Sequence, residues 1–373
     1  MVGGGRGAFI GGVHRMAARL DDRYDFVAGV LSSDPQRSRD SGADLRLAPD
    51  RCYATLDEML SAERHRADRI DVVAIVTPNH LHHGAAKQCL EAGLHVICDK
   101  PLTTTIADAE DLLRIVERTQ RVLAVTYNYS GYPLVRQAKE MIANGELGEL
   151  RTAQIEYAQD WLATPIEADG NKQAEWRVDP GKSGVAGAIG DIGTHAFHLA
   201  EFMTGTRVTQ LAADLSALVA GRRLDDNGQM LLRFSNGARG SLWASQVAPG
   251  NENGLRIRLY GSKAGLEWSQ ETPNQLRFAP VGGQPRILSR GGSGVGAAAT
   301  AATRVPSGHP EGYIEAFAQI YADVAELICA SNERRTADAG ALLVPTVADG
   351  LRGVRFIHAA VESSQRNAAW TEV

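Results

Sequence analysis

A histidine four residues beyond an aspartate, at the outlet of a glycine-rich loop, is suited to moving protons. The run from Ser183 to Phe202, SGVAGAIGDIGTHAFHLAEF, has this form. Helical spacing places Asp191 and His195 one turn apart on one face, and imidazole, titrating near pH ~6.5, can accept or return a proton. The same residues also describe a plain helix capped by Asp191, with His195 and His198 packed as ordinary interface residues. The rest of the chain has to decide between the two.

The opening segment MVGGGRGAFIGG contains Gly3-x-Gly5-x-x-Ala8, the dinucleotide fingerprint with Ala in its last place. Glycines there permit a tight turn and let a pyrophosphate approach the N-terminus of the following helix, where Arg6, Phe9 and Ile10 lie. Only Met1 and Val2 precede the turn, so a short first strand is expected. Residues 26–31, 72–76, 94–98 and 122–126 read as further strands with helical segments between them, 106–118 among these, the pattern of a doubly wound parallel sheet.

Ligands bind outside the carboxyl ends of such strands, and polar clusters stand there. Ser32, Ser33 and Asp34, with Arg37 and Arg39, follow the second strand; Thr77-Pro78-Asn79-His80-Leu81-His82-His83 follows the third. Serines and arginines in place of an acid suit the 2′-phosphate of NADP, whereas Asp34 suits NAD, and both cofactors stay open. Asp99-Lys100-Pro101-Leu102 follows the fourth strand, Pro101 holding Lys100 extended beside the place a nicotinamide would take. Asn128 follows the last. No acidic ligand converges by spacing on His80, His82 and His83, so no metal is expected.

With 373 residues, 44% of them hydrophobic and 22% charged, the chain reads as two globular domains. A formal charge of −5 gives no footprint for nucleic acid or an anionic membrane. There is no signal-like leader and no apolar run of about 18 residues, so a cytoplasmic protein is expected. Cys52, Cys89, Cys98 and Cys329 show no metal or disulfide spacing.

Five motifs in this order carry a resemblance: the glycine turn, Thr77-Pro78-Asn79-x-x-His82, Asp99-Lys100-Pro101, the helix 133–144 followed by Gly145-Glu146-Leu147-Gly148-Glu149, and Gly190-Asp191-Ile192-Gly193-Thr194-His195. Together they resemble the glucose–fructose oxidoreductase/inositol dehydrogenase/rhizopine catabolism (Gfo/Idh/MocA) family over nearly the whole chain. The resemblance implies a Rossmann domain over 1–128. An α+β domain over 129–373 follows, whose open, mostly antiparallel sheet walls a substrate cleft and joins copies into a homodimer or homotetramer. A C-terminal helix near 340–360 packs back on the first domain.

It further implies an NAD- or NADP-dependent dehydrogenase oxidising a secondary hydroxyl of a sugar, sugar derivative or inositol, with Lys100, Asp191 and His195 acting at that hydroxyl. Asp99 stands where the family carries Glu. The cofactor contacts it implies are Gly3, Gly5, Arg6, Ala8, Phe9, Ile10, Ser32, Ser33, Arg37, Thr77, Pro78, Asn79, His82, Asp99, Lys100 and Asn128. Trp161 and Arg177, in loop-like sequence, join Asp191 and His195 as substrate contacts, since an aromatic face with a multidentate cation grips polyhydroxylated rings. Their plain alternative is tryptophans packed under the loop and Arg177 paired with Asp179.

Residues 208–218, 229–234, 239–245, 255–260 and 265–269 read as a meander of short strands, with Asn236-Gly237 a hairpin signal. Residues 282–306 read as an irregular excursion, 308–330 and 337–360 as ending in helices. Two other functions fit the same motifs: a member that keeps its nucleotide as an internal redox carrier, and a non-catalytic nucleotide sensor.

Overall fold

The computed structural model describes all 373 residues apart from the side chain of Lys172. They form two compact units, residues 1–128 with 317–351, and residues 129–316 with 352–373. Among the described residues no helix is long and apolar enough to cross a membrane.

The first unit is a parallel sheet of β1 (Val2–Gly3), β2 (Val72–Val76), β3 (His95–Cys98) and β4 (Leu123–Val125), adjacent in that order. Val73, Ile75, Val96 and Ile97 are fully buried, as strands covered on both faces require. Its helices are α1 (Phe9–Leu20), α2 (Pro35–Asp44), α3 (Leu56–Glu63), α4 (His82–Glu91) and α5 (Ile106–Thr119). Asp34, Thr55 and Thr105 cap α2, α3 and α5, each accepting a backbone N–H from three residues on.

The strand expected over 26–31 is reduced to isolated parallel bridges at Gly29 and Val30. Its neighbour β1 offers only two residues to pair with. Later chain completes this unit. From α11 (Tyr313–Glu333), Tyr321 places its hydroxyl 2.8 Å from His14 Nδ1, and the carbonyl of Pro345 accepts the Val125 N–H at 2.9 Å. The next helix, α12 (Val347–Gln365), begins where Asp349 accepts from the Thr346 N–H and hydroxyl.

The second unit is a nine-stranded sheet built from β5 (Leu150–Ala158), β6 (Val208–Ser216), β7 (Asn227–Phe234), β8 (Arg239–Ser245), β9 (Gly254–Gly261), β10 (Ala264–Ser269), β11 (Gln275–Pro280), β12 (Arg286–Ser289) and β13 (Thr371–Glu372). Their spatial order is β12-β11-β10-β9-β5-β8-β7-β6-β13, and only β5 and β8 run parallel. Inward residues such as Ile155, Leu242 and Ile257 are buried in one core with Met141 of α6 (Pro133–Ala143) and Phe197 and Met203 of α9 (Thr194–Thr204). Alternate residues on the other face carry ion pairs, Arg256 with Glu156 and Glu267 among them.

Short helices α7 (Lys172–Arg177) and α8 (Pro180–Ser183) lead toward α9. The segment expected to be irregular over 282–306 contains β12 and α10 (Ala297–Ala301), the latter packed on α6. An edge strand with exposed residues and a helix of alanines carry too little hydrophobic period to be read locally.

Burial of His14 gives the first unit a pH dependence. The imidazole is fully buried and its pKa is pushed down to about 4, burial outweighing the pull of Asp99. The unfolded chain therefore takes up a proton near pH ~6.5 that the folded protein refuses, and stability falls as pH drops from there toward 4. Between pH 7 and 5, urea unfolding followed by circular dichroism should show the wild type losing about 2 kcal/mol more than His14→Gln; equal losses would contradict the assignment.

Candidate active site

The first unit holds a nucleotide-shaped cradle. Gly4 has φ +75°, and a Cβ on Gly11 of α1 would sit 2.4 Å from the Gly4 Cα, so turn and helix touch through bare backbone. No side chain caps α1 at Ala8 and no acid lies in its first turn, which leaves the positive end of the helix for an anion. At the ends of β2 and β4, Thr77 Oγ1 and Asn128 Nδ2 are buried polar atoms with no hydrogen-bond partner among the described residues. Such orphans fit a polar ligand laid across the strand ends, and a dinucleotide matches the whole arrangement.

The other residues expected to touch a cofactor differ in what they can offer. Phe9 is exposed at the start of α1 and Ile10 half-buried. Arg6 is exposed and paired with Asp40 and Asp44, and its carbonyl accepts from Arg37 Nη2 at 2.6 Å. Asp34 Oδ1 is taken by the Arg37 N–H and Ser32 Oγ by the Asp34 N–H; Ser33 is exposed. Pro78 is half-buried and Asn79 buried. His82 is fully buried with both ring nitrogens on main-chain carbonyls, which places it behind the turns.

Lys100 is half-buried in the turn after β3. Its N–H donates to Asp99 Oδ1 at 3.0 Å, and the Thr126 hydroxyl donates to the same oxygen at 2.6 Å. The shorter acid at position 99 thus braces the turn from within. Among the described residues no group of three His, Cys, Asp or Glu side chains could hold a metal ion.

In the second unit the run that opens with Ser183 becomes a π-helical turn, Ile189–Gly193, continuing directly into α9. Asp191 lies in the wide turn and caps no helix. One extra residue per turn changes the direction in which its side chain leaves, and such turns gather at functional sites. The turn is anchored by Asp225, whose carboxylate accepts the Gly187 N–H and the Ile189 N–H, both at 2.8 Å. A Cβ at position 187 would lie 2.1 Å from the Asp225 carbonyl oxygen, so only glycine passes there.

Asp191 Oδ2 accepts from Arg177 Nε at 3.0 Å and from Gln246 Nε2 at 2.8 Å. Arg177 therefore pairs with Asp191, and Asp179 pairs with Lys182 and Arg223. The guanidinium lies 4.3 Å from the Trp176 ring and 5.6 Å from Trp161, so the tryptophans flank the cation. His195, nearly buried, receives Tyr129 edge-on with ring centroids 4.9 Å apart. His198 stacks on Phe202.

Beneath His195 the hydroxyls of Tyr129 and Tyr157 are 2.5 Å apart, and Tyr157 donates to Asn253 Oδ1 at 2.7 Å. Burial pushes both phenol pKa values up, so the hydroxyls keep their protons. Gln246, Asp225, Tyr157 and Asn253 carry no spacing signal, because each reaches the site from a strand or strand end far away in the chain. Alternation along β5, which turns Tyr157 inward, is the one local hint.

Family models match both units: an oxidoreductase family with an NAD-binding Rossmann fold over residues 1–127, and the GFO/IDH/MocA C-terminal domain over residues 135–267. An oxidoreductase from Sinorhizobium meliloti is similar over 99% of this chain and 98% of its own, at 49% identity and TM-score 0.90. An inositol dehydrogenase homolog from Azotobacter vinelandii, complexed with NAD+, is similar over 100% and 96%, at 39% identity and TM-score 0.95; the same homolog is also known complexed with NADH and myo-inositol. Levoglucosan dehydrogenase of Pseudarthrobacter phenanthrenivorans is 30% identical over 75% of each chain.

Removing the anchor of the π turn should unfold it first. Asp225→Ala orphans two N–H groups and should cost about 2–4 kcal/mol in urea unfolding. Asp225→Asn, which keeps one acceptor, should cost less. An alanine variant as stable as the wild type would show that the turn holds itself.

Proposed function

Because the chain belongs to the GFO/IDH/MocA oxidoreductases, built on an NAD-binding Rossmann fold, we propose that it oxidises a secondary hydroxyl of a sugar, sugar derivative or inositol by hydride transfer to NAD. The observation that carries this reading is Asp191, held by Arg177 and Gln246, one turn ahead of His195 on the same run of helix. Myo-inositol and levoglucosan, which relatives bind or oxidise by name, are both polyhydroxylated rings.

A bound nicotinamide supplies the hydride acceptor. His195 takes the hydroxyl proton as the carbonyl forms, its ring plane fixed by the edge contact with Tyr129. Lys100 stabilises the developing alkoxide with its ammonium. Asp191, its charge balanced by Arg177, accepts a hydrogen bond from a neighbouring ring hydroxyl, and Trp161 offers an apolar wall. Gly3, Gly5 and Ala8 cradle the pyrophosphate, and Thr77 Oγ1 and Asn128 Nδ2 meet the nucleotide at the strand ends.

NAD is favoured over NADP at the ribose. Two carboxylates already neutralise Arg6, and Arg37, its Nη2 tied to the Arg6 carbonyl, keeps its charge, so a 2′-phosphate would find one guanidinium of the pair and not two. Copies join as a homodimer or homotetramer through the open sheet face, where Leu231 and Tyr260 are exposed.

Against a panel of inositols, aldoses and levoglucosan, turnover with NAD+ should exceed that with NADP+. Lys100→Ala and His195→Ala should each lower it by about 10²- to 10⁴-fold while NADH still binds. Wild-type rates in either variant with the best substrate would sink the assignment. Light scattering should find two or four chains per particle, and a monomer would refute the shared sheet.

A further inference from the structure

His82 opens α4 just after the turn that leaves β2, a place from which a histidine could reach a ligand at the strand ends. Its ring is instead fully buried. Nδ1 lies 2.9 Å from the Pro101 carbonyl oxygen and Nε2 2.9 Å from the Thr77 carbonyl oxygen. The ring therefore spans the two turns that leave the neighbouring strands β2 and β3. Carbonyl oxygens only accept, so both bonds are complete when both ring nitrogens carry protons, and a neutral ring keeps one of them.

Pro101 follows Lys100 directly. On its other side the same turn is braced by Asp99, which accepts from the Lys100 N–H and from the Thr126 hydroxyl of the neighbouring strand end. Lys100 thus sits between two fixed points, a carboxylate one residue before it and a ring-held carbonyl one residue after. A displacement of about 1 Å in such a group can cost a hundredfold in rate.

We propose that His82 is a positioning residue for Lys100, a latch that joins the turn after β2 to the lysine turn and touches neither substrate nor cofactor. The proposal rests on the reading of Lys100 as the alkoxide-stabilising cation. Its latching part is tested without any substrate.

The test uses the full chain with His82→Leu, which removes the ring's donor at similar volume, and His82→Gln, whose amide nitrogen can still donate. Reductive methylation followed by peptide mass spectrometry compares Lys100 with the exposed Lys263, and fluorescence titration reads NADH binding. In His82→Leu the methylation rate of Lys100 should change by about fivefold or more, Lys263 and the NADH dissociation constant staying within about twofold. On the best ring polyol kcat should fall about 10- to 100-fold with KM little changed, and His82→Gln should recover part of both signals.

Unchanged Lys100 labelling would overturn the latch, as would a loss of NADH affinity with labelling intact, which would make His82 a cofactor contact. Should the leucine variant not fold, unaltered labelling and kcat in a folded His82→Met, which likewise has no donor, would overturn it equally. Shifted labelling alongside full activity of Lys100→Ala would leave the latch standing and remove the role given to Lys100. Unshifted labelling with an inactive Lys100→Ala would do the reverse.

Discussion

Two backbone N–H groups ending on one carboxylate hold the turn that carries Asp191 in place. Asp225 reaches from the turn before β7 to Gly187 and Ile189, and the chain between them can pass only because position 187 has no side chain. From that anchor the π turn follows, and with it the offset that brings Asp191 to Arg177 and Gln246 while His195 stays on α9 against Tyr129. Residues from helices and from the turns beside strands β7 and β8 converge because one acid fixes where the loop may go.

The first unit solves the parallel problem with backbone rather than charge. Its sheet brings turns after β2, β3 and β4 to one edge, and the glycine contact between the first turn and α1 lets that helix start close to the sheet. What varies among those turns is how each is stiffened. Asp99, Thr126 and His82 share the work at the lysine turn through main-chain and short side-chain bonds.

Much of this was legible in the chain. The glycine turn, the strands at 72–76 and 94–98, the short strands within 208–269 and the Asp191 to His195 spacing depend on local pattern, and the fold and family followed from them; the expected meander is broken where β5 inserts between β8 and β9. The first-domain strand near 26–31 shrank to bridges because its length is set by a partner two residues long. Helix α10 and strand β12 were missed because their apolar contacts lie on other elements. Asp225, Gln246 and Asn253 could not be found by spacing, since each stands dozens of residues from what it holds. His82 was legible as a motif residue and not as a buried one, because a histidine before a helix looks the same whether its ring turns outward or in.

The first unit is also discontinuous in the chain, taking 1–128 and then 317–351. Tyr321 and Pro345, which bond to His14 and Val125, belong to the second piece. During synthesis the parallel sheet therefore waits for about 220 further residues to be made, roughly 10 to 45 s at ribosomal speed, before its own last helices arrive. Over that interval the nascent N-terminal segment exposes apolar surface that the finished unit covers, while the nine-stranded sheet is still emerging. Neither unit is complete until synthesis is nearly over, the first at residue 351 and the second at residue 373, so the half translated first gains almost no head start in closing.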